Sequence, residues 1–130
     1  MKKIVLIVTV LLSGIAVNAQ ESQADGRRSI DAKALIEKTN KTPILIDVRT
    51  PEEYREGTIP GAMSLNIHSD DFKRATEALP KEREIIVFCQ SGDRSNEAFE
   101  MLTSLGFKNV SQLGGGYDVW REANEKYKDK

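Results

Sequence analysis

Short runs of continuous hydrophobicity alternate along this chain with stretches whose apolar residues recur every three or four positions. Ile44-Leu45-Ile46-Asp47-Val48 and Ile85-Ile86-Val87-Phe88 are nearly unbroken apolar runs, as expected of strands covered on both faces. Ala62 to Ile67 and Asn109 to Leu113 read as two further strands. Helical spacing fills the gaps between them. Asp31 is placed to cap a first helix carrying Ala34, Leu35 and Lys38. Thr50-Pro51-Glu52-Glu53 is a capping box with proline at the first helical position, and Gly57 stops the short helix it opens. Ser69 is expected to cap a helix bearing Phe72, Ala75 and Leu79. Ser95 is expected to cap another, with a stripe of Ala98, Phe99, Leu102 and Leu105 ended by Gly106. Gly114-Gly115-Gly116 turns the chain into a last helix containing Val119 and Trp120. Alternating strands and helices predict an α/β fold, a parallel sheet of about five strands with helices on both faces.

The start of the chain follows a different rule. Lys2 and Lys3 precede an apolar run, Ile4 to Leu12, and Val17-Asn18-Ala19 supplies small residues at the positions a signal peptidase reads. The run is shorter than the ~20 apolar residues of a spanning helix. Residues 1–19 therefore read as a secretory signal peptide cut after Ala19, rather than a retained anchor, and the protein as exported, periplasmic or secreted. No cysteine follows the run to take a lipid. Residues 20–28 are polar and read as a flexible leader, 29–125 as one domain, and 126–130 as a polar tail. Loss of Lys2 and Lys3 leaves 17 of the 19 basic residues against 20 acidic ones, a net charge of −3. That balance gives no electrostatic case for nucleic acid or an anionic membrane surface.

The chain has one cysteine, Cys89, so an internal disulfide is excluded. It stands where the strand Ile85–Phe88 ends and a helix is about to begin, at the head of Gln90-Ser91-Gly92-Asp93-Arg94-Ser95. Open α/β sheets build their sites at the carboxyl ends of strands. Helix N-termini present unpaired N–H groups and about half a positive charge, a ready cradle for an anion. A free cysteine, with a pKa near ~8.5, needs such help to act as a nucleophile at neutral pH. Cys89 is thus the candidate nucleophile, with the amides of Gln90 to Ser95 turned inward to hold a negative sulfur. Gly92 permits a backbone conformation that a side chain resists. Arg94 offers a bidentate grip on an anionic substrate, the alternative being an ion pair that holds the loop. Ser95 can bond the sulfur or serve as an ordinary cap. Asp93 is expected to face solvent.

These residues resemble a known family. Asp47-Val48-Arg49-Thr50-Pro51-Glu52-Glu53-Tyr54 followed by Gly57-Thr58-Ile59-Pro60-Gly61-Ala62 is similar to the first signature of rhodanese-like domains. The loop from Cys89 to Ser95 resembles their active-site loop, and Leu113-Gly114-Gly115-Gly116 with Trp120 their glycine turn and tryptophan. The likeness runs from Ile30 to Trp120. It implies a single-domain thiosulfate sulfurtransferase fold, in which the cysteine takes a sulfane sulfur from a donor, holds it as a persulfide and passes it to cyanide or a thiol.

Asp47 and Arg49 can border the same pocket, although pairing of Arg49 with Glu53 or Glu52 to fix the loop is the stronger expectation. His68, the only histidine, lies in a polar loop and is expected to be exposed and idle. One histidine and one cysteine do not make an ordinary zinc site, so neither metal nor cofactor is expected. The glycine run lacks the lysine and hydroxyl residue of a P-loop. Trp120 and Phe99 read as core. The expected partners are a small sulfane donor and a thiol or cyanide acceptor, with room for a protein acceptor. Two other functions compete. One is a sulfur carrier or interaction module without turnover. The other is a cysteine phosphatase or arsenate reductase, whose loop, by resemblance to that neighbouring family, has five residues between cysteine and arginine where this chain has only Gln90, Ser91, Gly92 and Asp93.

Overall fold

In the computed structural model, which describes residues 21–24, 27–38 and 43–127, the strands join in one six-stranded sheet. They are β1 (Glu21–Ala24), β2 (Arg27–Ile30), β3 (Ile44–Asp47), β4 (Met63–Ser64), β5 (Ile85–Phe88) and β6 (Val110–Leu113), in the order β1-β2-β6-β5-β3-β4. From β2 to β4 every neighbouring pair is parallel, which gives the expected five-stranded parallel sheet; β1 adds an antiparallel edge. The helices are α1 (Ala32–Glu37), α2 (Pro51–Glu56), α3 (Phe72–Glu77), α4 (Asp93–Ser104) and α5 (Gly116–Tyr127). The export segment 1–19 lies outside the described residues. Among the described residues no helix is long and apolar enough to cross a membrane.

β5 shows why the sheet is covered on both sides. All four of its residues are buried. Ile85 and Val87 join a core with Phe72, Ala98, Leu102 and Phe107, on the side of α3 and α4. Ile86 and Phe88 join the opposite core with Leu35, Leu113 and Trp120, on the side of α1 and α5. The period of two along a strand sends alternate residues to opposite faces. Cys89 continues the odd series and falls in the α4-side core.

Most of the local signals act as read. Asp31 accepts from the N–H of Ala34 at 2.7 Å, and Thr50 and Glu53 form the reciprocal capping box. Trp120 is buried, and Phe99 packs against the α4-side core. Four expectations need correction. The segment read as a flexible leader carries β1 and the start of β2: β2 pairs with the edge of β6 through Ser29 and Ile30, and β1 pairs with β2, backbone pairing that hydropathy does not register. α3 starts after Asp71 without a side-chain cap, and Ser69 Oγ instead accepts from the Asp71 N–H at 3.2 Å. α4 starts earlier than expected, with Gly92 in the capping position and Ser95 inside the first turn. α5 runs to Tyr127, two residues into the segment read as a tail.

Candidate active site

β3 and β5 are neighbours in register, with Asp47 opposite Phe88. The residues just past their carboxyl ends, Arg49 and Cys89, therefore come to the same rim of the sheet. The Val48 N–H prolongs the pairing by donating to the Phe88 carbonyl at 3.0 Å.

Cys89 is 1% exposed. Its sulfur accepts from the N–H of Gly92 at 3.0 Å, and the thiol donates to Ser95 Oγ at 3.6 Å. Gly92 holds φ at +140°, a conformation that side chains rarely adopt, and its amide reaches the sulfur from there. Asp93, Arg94 and Ser95 follow as the first three residues of α4, whose N–H groups have no intrahelical partner. The sulfur thus sits at the positive end of a 12-residue helix. Ser95, 0% exposed, is not a cap. Its hydroxyl has one proton and lies 2.8 Å from the Gly92 carbonyl and 3.1 Å from Gln112 Oε1. With those acceptors on one side and the sulfur on the other, it can accept from the thiol or turn to donate to a sulfur anion. Asp93 is exposed, as expected, and Ser91 is exposed beside it.

Arg49 lacks the partner assigned to it from sequence, and Arg94 makes the loop-holding ion pair that was its alternative reading. Arg49 pairs with neither Glu53 nor Glu52. Its Nε and one terminal nitrogen grip the two carboxylate oxygens of Asp47 at 2.9 and 2.7 Å. The same terminal nitrogen donates to the Gly57 carbonyl at 2.6 Å and the other to Gln90 Oε1 at 2.8 Å. Arg49 is 2% exposed, and the Tyr117 ring covers its guanidinium at 4.5 Å. Burial works against its charge, but the hydrogen bonds and charge of Asp47 more than offset this, and its pKa lies above the ordinary value. Glu53 is taken by Arg94, whose terminal nitrogens donate to its two oxygens at 2.6 and 3.0 Å. This fork-on-fork pair, with Thr50 bonds in support, holds the Glu53 carboxyl down to about 2. The guanidinium fork that a sulfonate would need is therefore occupied by a side chain of the protein itself.

Gln90 is the joint of this network. Its carbonyl oxygen accepts from Arg49, and its amide nitrogen donates to Asp118 Oδ1. The backbone carbonyls of Cys89 and Gln90 accept from the N–H groups of Tyr117 and Asp118 at 2.8 and 3.3 Å, which docks the start of α5 onto the loop. Only glycine fits at Gly116: φ is +66°, and a Cβ there would lie 2.5 Å from the Cys89 carbonyl oxygen and 2.6 Å from that of Gln90. Beside the loop is a cavity of about 460 Å³ lined by Arg49, Glu53, Glu56, Gln90, Tyr117 and Arg121. Asp47 lies behind Arg49, fully buried, and bonds Thr58 Oγ1 at 2.9 Å. His68 is exposed, with its backbone N–H on Asn66.

Tyr117, Asp118, Gln112 and the pairing role of Glu53 are additions to the residues read from sequence. The i, i+2 spacing of Asp47 and Arg49 at a strand end was the available signal for their pairing. Nothing in the local pattern marks Asp118 or Gln112.

The chain is similar to proteins of one known family. Residues 30–123 match the rhodanese-like domain. The chain is 34% identical over 93 residues to a sulfurtransferase of Allochromatium vinosum, covering 70% of this chain and 85% of that protein. It is 35% identical over 79 residues to the thiosulfate sulfurtransferase GlpE of Pseudomonas fluorescens, covering 60% and 70%. Among solved structures it resembles a rhodanese-related protein of Thermoplasma volcanium, with a TM-score of 0.65 at 32% identity over 73% of this chain and 91% of that one. It also resembles the human single-domain sulfurtransferase TSTD1, with a TM-score of 0.62 at 28% identity over 72% and 95%.

Proposed function

The chain belongs to the rhodanese-like family of single-domain sulfurtransferases, and we propose that it moves a sulfane sulfur from a donor to an acceptor through a persulfide on Cys89. The observation that carries this reading is the seat of the sulfur, bonded by the Gly92 amide at 3.0 Å at the N-terminus of α4. In the first half-reaction the Cys89 thiolate attacks the outer sulfur of the donor. The bond between the donor's outer and inner sulfurs breaks, and the donor remnant leaves with the electron pair. With thiosulfate that remnant is sulfite. The new persulfide carries its charge on the outer sulfur, which main-chain amides can hold without reorganisation. In the second half-reaction cyanide or a thiol attacks that outer sulfur and Cys89 is released as thiolate. Gln90 to Ser95 form the binding loop in this scheme, Arg94 supports the loop through Glu53, Arg49 borders the pocket, and Asp47 holds Arg49 from behind.

Two features weigh on the alternatives. The loop places four residues between Cys89 and Arg94, a ring suited to one sulfur rather than a phosphoryl group. The near-complete burial of Cys89 favours the second reading, a sulfur carrier or interaction module without turnover. Steady-state assays separate the three. Turnover of a sulfane donor with cyanide supports the proposal, faster release of phosphate from an aryl phosphate replaces it with a phosphatase, and neither activity leaves the module. Export is part of the proposal, on the strength of Lys2, Lys3 and the apolar run Ile4 to Leu12.

A further inference from the structure

Resting on the sulfurtransferase reading, we propose that Glu53 is a specificity-determining residue, turning the site away from dianionic donors such as thiosulfate and toward thiol persulfides, R–S–SH. A sulfonate is bound best by a guanidinium fork presented in its plane. Arg94 has its fork on Glu53 at 2.6 and 3.0 Å. Glu53 is in turn held by Thr50, whose hydroxyl and backbone N–H donate to Oε1 at 3.2 and 3.4 Å. Both side chains of the pair are less than a third exposed. Arg49 is committed to Asp47, Gly57 and Gln90 and capped by Tyr117. Arg121 lies 4.0 Å from Asp118, which also accepts from Gln90.

Every guanidinium at this mouth therefore faces a carboxylate, and the balance is acidic. Against Arg49, Arg94 and Arg121 stand Asp47, Glu53 and Asp118, with Glu56 on the cavity wall and Asp93 at the head of α4. Among the described residues at this mouth, what remains to attract an anion is the Gly92 amide and the N-terminus of α4. These suit one charge on one sulfur, the persulfide itself. They leave nothing for the sulfonate of thiosulfate, which would bring two further charges to the Cys89 sulfur. A protonated thiol persulfide brings none. In the transfer, Cys89 Sγ bonds to the outer sulfur as its bond to the inner sulfur breaks. R–S⁻ departs with that electron pair, and the proton of the outer sulfur passes to it or to water. No electron is gained or lost overall.

The test compares loading of Cys89 by cysteine persulfide and by thiosulfate, followed by intact mass and initial rate, in the wild type and in Glu53→Gln. Glutamine keeps the capping box and removes the charge that holds Arg94, leaving one acceptor oxygen in place of two. The wild type is expected to prefer cysteine persulfide by about tenfold or more in kcat/KM, a difference of about 1.4 kcal/mol. Glu53→Gln is expected to shrink that preference about tenfold, through a lower KM for thiosulfate rather than a changed kcat. On the wild type alone, raising salt from about 0.02 to 0.2 M should lower the thiosulfate KM as repulsion is screened; this decides the matter if the variant does not fold. Equal loading by the two donors, an unchanged preference in Glu53→Gln, or a thiosulfate KM that rises with salt overturns the proposal. Loading by neither donor removes the sulfurtransferase reading beneath it.

Discussion

The backbone N–H of Tyr117 donates to the carbonyl of Cys89 at 2.8 Å, so the last helix fixes the peptide that follows the nucleophile. In a trans peptide the carbonyl and the next N–H point in opposite directions. With the Cys89 and Gln90 carbonyls turned to α5, the N–H groups of Gln90 and Ser91 are turned away from it. The glycine turn is what allows α5 to approach so closely. Gly116→Ala puts a methyl on both carbonyls at a positive φ. The expected cost is about 1–3 kcal/mol of stability, from strain of this kind. Turnover should fall about 100-fold, as displaced reacting groups typically lose. Denaturant unfolding and kcat on the same samples check both.

Arg49 and Asp47 form a buried pair, so loss of one leaves the other uncompensated. Arg49→Ala should destabilise the fold by about 3–5 kcal/mol. Arg49→Lys should restore little, because one ammonium cannot serve Asp47, Gly57 and Gln90 together. Thermal melts of the two variants against wild type test this; near-wild-type stability of the lysine variant contradicts it.

Glu53 links stability to pH. Its hydrogen bonds with Arg94 lower its pKa from the usual 4.5 to about 2. A group whose folded value is depressed contributes fully above its unfolded value, and the contribution is lost as pH falls through the folded one. The Glu53 share of stability is therefore complete above pH 4.5 and fades between there and about 2. Glu53→Gln should be less stable than wild type at pH 6 and approach it at pH 2.5. Unfolding curves at the two pH values give the difference, and a constant gap contradicts the assignment.

Ser95 bridges the sulfur, the Gly92 carbonyl and Gln112 while fully buried. Ser95→Ala leaves Gln112 Oε1 without this partner, at about 1–3 kcal/mol. If the hydroxyl also turns to hold the persulfide, loading of Cys89 should slow about tenfold, a transition-state loss of about 1.4 kcal/mol. Stopped-flow loading beside a melt separates the two effects.

Elements that announce themselves locally were legible in the sequence. Asp31 precedes its helix, Thr50 and Glu53 stand three residues apart, and Ile85 to Phe88 is an apolar run ending at the cysteine. The fold class and the place of Cys89 follow from those, and the family from the resemblance carried by Asp47 to Ala62 and Cys89 to Ser95. β1 and β2 were not legible, because polar strands at a sheet edge are specified by backbone pairing, β2 on β6 and β1 on β2. The partners of Arg49 and Arg94 were not either. Glu53 lies 41 residues from Arg94, and the choice between nearby carboxylates is made by where β3 and β5 end in space. Asp118 reaches Gln90 only because the glycine turn brings α5 back over the loop. Pairings of this length leave no periodic trace.

The central claim is that the Cys89 sulfur accepts a second sulfur. Intact-mass measurement of the protein after incubation with a sulfane donor, beside Cys89→Ser, tests it directly. The account predicts the gain of one sulfur atom on the wild type, its removal by cyanide with thiocyanate formed in equal amount, and no gain on a Cys89→Ser protein that melts as a folded domain. A wild-type mass that stays unchanged at every donor concentration, or a gain that persists in Cys89→Ser, contradicts it.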